Sequence, residues 1–116
     1  MNNIHERIKS DEFDKTVNAE KQNRHIRDSD GYVEGRSYLL DGVDAQKLVD
    51  RYHGTGFTPI NKRGEWKNTE TIEIENIIGI SINPVTGVKT RTNIFTIHYS
   101  KTGTHIVPTK MGRLSQ

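Results

Sequence analysis

The sequence predicts an α+β domain, with N-terminal helices followed by a meandering antiparallel sheet of about four strands. Two observations carry this. Helical signals, each a capping residue ahead of a short run, are confined to the first half of the chain. From Thr71 onward the apolar residues fall at period 2 between turn-forming clusters, which marks strands. Helices first and strands after is the order of an α+β chain.

At 116 residues the chain has the length of one domain with a single modest core. Only 31% of residues are hydrophobic and 28% are charged, so part of the chain is expected to stay unpacked, most of all the N-terminus. The formal charge of +2 permits contact with nucleic acid without requiring it. The absence of cysteine excludes disulfides and thiolate–metal sites. No apolar run approaches the length of a membrane span, and the first residues are unlike a secretion signal.

Residues 1–16 carry scattered charge, with Ile4, Ile8 and Phe13 the only large apolar side chains, and read as a linker or frayed helix. Asn18 is placed to cap a short helix over 19–26, which delivers Lys21, Arg24, His25 and Arg27 in quick succession. A solvated basic helix is the commoner meaning of such a run. The alternative is a helix that brings a histidine or a phosphate contact to a cleft. Residues 28–31 form a loop, and Arg36 stands between Gly35 and an apolar run, where its planar fork could grip a phosphate.

The clearest helix spans 44–53, capped by Asp44, with Leu48, Val49 and Tyr52 on one face and Gly54 as its stop. His53, in its last turn, is expected to be structural. Trp66 is expected to close the core edge rather than stack on a base. Strands are predicted at 71–74, 77–82 and 88–99, with a turn at 83–87.

A hairpin at 92–108 carries the candidate chemistry. Phe95, Ile97 and Tyr99 alternate with Thr96, His98 and Ser100, a turn follows through Gly103, and the return strand stops at Pro108. If Lys101-Thr102 is the two-residue loop, His98 lies directly opposite His105. If Thr102-Gly103 is the loop, the two are diagonal neighbours. Either even loop puts both imidazoles on one face, with Phe95, Ile97 and Tyr99 burying the other and the histidine face left open.

Two imidazoles on one face suit metal-free cleavage of RNA. One takes the 2′-hydroxyl proton and the other protonates the leaving 5′-oxygen, since both titrate near neutral pH. Lys101 is placed to stabilise the phosphoryl oxygens, with Ser100 and Thr104 positioning substrate. Arg36, Ser37, His25 and Lys21 are the substrate-binding candidates from the helical side. A metal-dependent nuclease built on His98, His105 and a third ligand is disfavoured, because no carboxylate lies between Thr92 and Pro108.

Several of these segments resemble one family. They are residues 20–26 (Glu-Lys-Gln-Asn-Arg-His-Ile), 35–39 (Gly-Arg-Ser-Tyr-Leu), 54–56 (Gly-Thr-Gly) and, longest and most specific, 97–108. Over 17–108 the chain resembles the polymorphic toxin type 50 domain, with a loose tail at 109–116. The resemblance implies a ribonuclease of the barnase-like, EndoU-like, colicin E5/D-like and RelE-like fold group. Such domains occur at the C-termini of bacterial toxins and of phage minor head proteins. It further implies a cognate immunity protein as partner and action in the cytoplasm of a target cell, reached by secretion or as part of a phage or effector protein.

The function expected is a metal-independent endoribonuclease toxin with RNA as substrate, no cofactor and no membrane partner. Its products would be a 2′,3′-cyclic phosphate and a 5′-hydroxyl. The alternative is a non-catalytic RNA-binding or phage head-associated interaction domain.

Overall fold

The computed structural model describes residues 3–110, so 111–116 of the expected tail lie outside the described residues. In chain order the elements are α1 (Ile4–Lys9), α2 (Ala19–Asn23), β1 (Tyr38–Leu39), α3 (Ala45–Tyr52), β2 (Thr69–Glu73), β3 (Gly79–Ile82), β4 (Lys89–Thr92), β5 (Ile94–His98) and β6 (His105–Pro108). The strands make two antiparallel three-stranded sheets, ordered β1-β3-β4 and β2-β5-β6. The α+β class stands, but the single meander of four strands does not.

The reason lies at Asn93, which divides the strand expected over 88–99. Ile94 and Phe95 are consecutive and both fully buried, so apolar surface faces both sides there and the half-exposed pattern fails. The Thr92 hydroxyl accepts from the Ile94 N–H and donates to the Thr109 carbonyl, fixing the bend. Upstream of it β4 pairs with β3; downstream β5 pairs with β2 and β6. The two sheets touch where β3 passes β6. A Cβ on Gly79 would lie 2.5 Å from the Pro108 side chain and 2.7 Å from the Tyr38 carbonyl, so this crossing requires glycine.

Residues 3–16, within the stretch read as a linker or frayed helix, pack on the core. Asn3 caps α1, Ile8 is fully buried, and Ile4 packs beside it, so the shared helical face of these two residues is a core face. Phe13 is also buried, edge-on to Trp66 at 5.7 Å and against Tyr99 at 5.8 Å. Trp66 closes the core edge and donates its indole N–H to the Thr69 carbonyl. Burying a side chain of the size of Ile8 or Phe13 is worth about 1.5–3 kcal/mol, which contributes to holding the arm on the core.

Helix α3 runs close to its expected span. Asp44 accepts from the Lys47 N–H at one end, and His53 donates its ring N–H to the Val49 carbonyl at the other. Among the described residues, no helix is long and apolar enough to cross a membrane.

Candidate functional site

The β5-β6 hairpin takes the register in which His98 is directly opposite His105. Their rings stack nearly parallel, with centroids 4.9 Å apart and planes 11° from parallel. A third imidazole extends the row: His25 lies against the other side of His105, at 5.9 Å and 10°. The three rings run His98, His105, His25 across the sheet and beyond its edge.

Helix α2 brings the third ring there. Asn18 caps it by accepting from the Lys21 N–H, and the helix is shorter than the expected 19–26 because the chain turns at His25, whose N–H donates to the Gln22 carbonyl. Gln22, which sequence reasoning passed over, is the fastener. Its amide donates to the Ile106 carbonyl at 2.9 Å and accepts from the Ile106 N–H at 2.8 Å. One side chain thus mimics a strand neighbour on the free edge of β6. A glutamine among charged residues on the short helix was the available signal.

Docking of α2 changes the histidine face from open to half-covered. His98 and His105 are half-buried, and His25 is buried at 5% exposure. Its ring N–H donates to the Ser37 carbonyl at 2.8 Å. Burial lowers the proton affinity of all three rings. For His98, the charge of His25, at the far end of the row, adds to burial. For His25, burial outweighs the Ser37 bond, with Arg36 and Arg24 adding to it. For His105, burial, both flanking rings, Lys21 and Arg24 together push the value down to about 4.

The cation over the hairpin turn is Lys21. Its ammonium donates to the Ser100 and Thr102 hydroxyls, each at 3.3 Å. Lys101, the residue expected there, lines a recess with residues 11–15, and its charge helps hold the Glu12 carboxyl low, after the stronger effect of Arg7. Thr104 is fully buried and its hydroxyl donates to the Asp14 carbonyl, so it anchors the N-terminal arm instead of facing substrate. The Ser100 hydroxyl donates to the Gly103 carbonyl within the turn. The Ser37 hydroxyl accepts from the Ile82 N–H, which ties β1 to β3. Arg36 is exposed, with its charge felt at His25. The structure therefore brings together His98, His105, His25 and Lys21, and separates Lys101 and Thr104 from them.

A second polar cluster lies on the opposite side of the same strand. Glu70 on β2 is fully buried. Its carboxylate accepts from the Gly54 N–H at 2.9 Å, the Gly56 N–H at 2.6 Å and the Tyr99 hydroxyl at 2.6 Å. Burial and then the Glu70 carboxylate push the Tyr99 hydroxyl far up, so it remains a donor. This cluster explains the Gly54-Thr55-Gly56 segment as the cradle of a buried carboxylate. Extending the alternation of Ile72 and Ile74 back by one step would have put Glu70 on the core face, where a carboxylate needs such partners.

Among the described residues no three potential ligands are grouped to hold a metal ion. Stacked rings present their faces to one another, whereas a metal needs ring nitrogens converging on one point. What the row can do is take and give protons beside a fixed cation. Every buried side-chain nitrogen or oxygen among the described residues has a partner, and the ring nitrogens of His98 and His105 make no hydrogen bond to another described residue, so the described chain does not fully enclose them.

A search of curated proteins found no match to the chain. The family model for bacterial toxin 50, Ntox50, matches residues 17–108, which takes in α2, Gln22, Glu70 and the whole histidine row. The chain belongs to the Ntox50 family of bacterial toxin domains.

Proposed function

We propose that this toxin domain is a metal-independent endoribonuclease. The observation that carries the reading is the His98–His105 pair, stacked at 4.9 Å with reachable nitrogens and the Lys21 ammonium beside them. His105, with its proton affinity lowest, is unprotonated at working pH and takes the 2′-hydroxyl proton. The 2′-oxygen attacks phosphorus, the bond to the 5′-oxygen breaks, and His98 protonates that oxygen. The products are a 2′,3′-cyclic phosphate and a 5′-hydroxyl. A seated phosphodiester brings negative charge against His98 and favours its protonated form.

Lys21 faces the charge that builds on the phosphoryl oxygens, the role first expected of Lys101. His25 backs His105 and holds it in place. The natural partners on this reading are RNA and a cognate immunity protein, with action in the cytoplasm of a target cell.

The test is incubation of total RNA, and of a defined oligonucleotide, with the protein in excess chelator, followed by mapping of the ends. Cleavage should persist, an all-deoxy strand should survive, and one 2′-deoxy sugar at the cut site should protect that site alone. Cleavage of the all-deoxy strand would refute the mechanism. RNA binding without cleavage would favour the interaction-domain alternative.

A further inference from the structure

Beside β1 lies a groove of ≈ 300 Å³ lined by Arg27, Asp28, Tyr38, Asp41 and Ile80. It shares two of its chain segments with the support of His25. Arg27 and Asp28 follow His25 by two and three positions, and Tyr38 follows the Ser37 carbonyl that holds the His25 ring. The Leu39 N–H donates to the His25 carbonyl at 3.0 Å and locks the two segments together. Groove and histidine row are thus built on one joint.

The lining is chemically mixed. The Arg27 guanidinium lies over the Tyr38 ring, 5.0 Å from its centroid, and donates to the Tyr38 hydroxyl at 2.9 Å. That fixes the planar cation, which makes no other hydrogen bond among the described residues. Two carboxylates, Asp28 and Asp41, share the groove with this one cation, so a phosphate is disfavoured. The volume is at the low end for small-molecule pockets, suited to one base and its sugar. A neutral, planar ligand with donors and acceptors on its edges matches this lining.

Resting on the nuclease reading above, we propose that the groove is a base-recognition subsite for an unpaired guanine flanking the phosphate held at the imidazoles. Guanine places N1–H and N2–H2 side by side, which one carboxylate can accept together, and offers O6 and N7 to a guanidinium. Uracil has a single N–H between two carbonyls, and adenine and cytosine each present one amino group. Unpaired RNA bases are read in this way, by edge hydrogen bonds and by stacking on a guanidinium plane.

The experiment digests a random-sequence single-stranded RNA pool, maps the ends, and separately titrates guanosine and uridine into the protein by NMR. Guanine should be enriched at one fixed position relative to the cut. In Asp28→Asn/Asp41→Asn that enrichment should fall about ten- to a hundredfold, the size of one bidentate base contact. Guanosine, and not uridine, should shift the resonances of Arg27 and Tyr38, and the double variant should lose this response. Cutting with no base preference, or a guanine preference that the variant retains, overturns the subsite and leaves the nuclease reading standing. If the wild-type protein cuts no RNA, the nuclease reading fails and the titration judges the groove alone: a guanosine response that the variant abolishes supports it, and no response overturns it.

Discussion

His98 and Tyr99 are consecutive, and because extended chain alternates its faces they lead to two polar clusters on opposite sides of the β2-β5-β6 sheet. On the core side the Glu70 carboxylate takes two backbone N–H groups and the Tyr99 hydroxyl, all within 2.9 Å, and is closed to solvent. On the other side His98 and His105 are half-buried, with ring nitrogens that bond to no other group among the described residues and proton affinities held low by burial and by nearby charge. A polar cluster with every partner supplied stabilises a fold. One with perturbed titration and open atoms is a candidate for chemistry. The contrast predicts that substitutions in the two clusters have opposite signatures.

The largest effect expected is on activity, from the histidine row. His98→Ala and His105→Ala should each slow RNA cleavage by roughly two to four orders of magnitude, the usual yield of general acid–base catalysis. The midpoint of urea unfolding should move little. Full activity in either folded variant would end the paired-imidazole mechanism.

Next in size is the choice between two lysines. Lys21→Ala should cost roughly two to three orders of magnitude in rate if its ammonium stabilises phosphoryl charge. Lys101→Ala, altering a residue of the recess formed by 11–15, should change the rate by only a few-fold. The reverse ranking would return the role to Lys101 and require the turn to rearrange on substrate binding.

On the core side the signature inverts. Glu70→Ala strands three donors, and each unsatisfied buried group costs about 1–3 kcal/mol, a large share of the roughly 5–15 kcal/mol that holds a domain together. The urea midpoint should fall sharply, while the protein that remains folded keeps a measurable rate. An unchanged midpoint would mean that water or another group replaces the carboxylate.

Much of this contrast could be read from the sequence, and the unread part has a physical cause. That His98 and His105 share a face followed from an even turn and strict alternation, both local properties of 92–108, while the choice of the directly opposed register over the diagonal one came from the structure. Helix α3 followed from Asp44, Gly54 and its apolar face. Three of the remaining features are set by distant partners. The strand expected over 88–99 breaks at Asn93, where Ile94 and Phe95 are buried on opposite faces of one strand, and no local pattern reports a second sheet. Gln22 meets Ile106 across 84 positions, and Thr104 meets Asp14 across 90. The long-range hydrogen bonds, more than local propensity, decided which hydroxyls and cations face the row.

The smallest effect expected is the pH dependence, which tests the row as a unit. The proposed base, His105, must be unprotonated, so the rate should rise with pH through its value of about 4. The proposed acid, His98, must be protonated, and burial sets its value below the ordinary 6.5. The profile of kcat/KM, which reports the free protein, should therefore be a bell with its maximum on the acid side of 6.5. Stability should follow the same groups. A ring whose proton affinity is lowered by folding binds fewer protons folded than unfolded, so its contribution is complete above about 6.5 and lost as pH falls toward 4. Glu12 and Asp14, held low by Arg7 and Thr16, add a separate loss at still lower pH. His25→Phe keeps a ring against His105 while removing one titrating group and its influence on the others. It should flatten the stability change between pH 6.5 and 4 and move the acid limb of the rate toward higher pH, because His105 loses one of the groups holding it low. If His25→Phe leaves both profiles where they were, the three rings titrate independently, and the row is a packing arrangement rather than an electrostatic one.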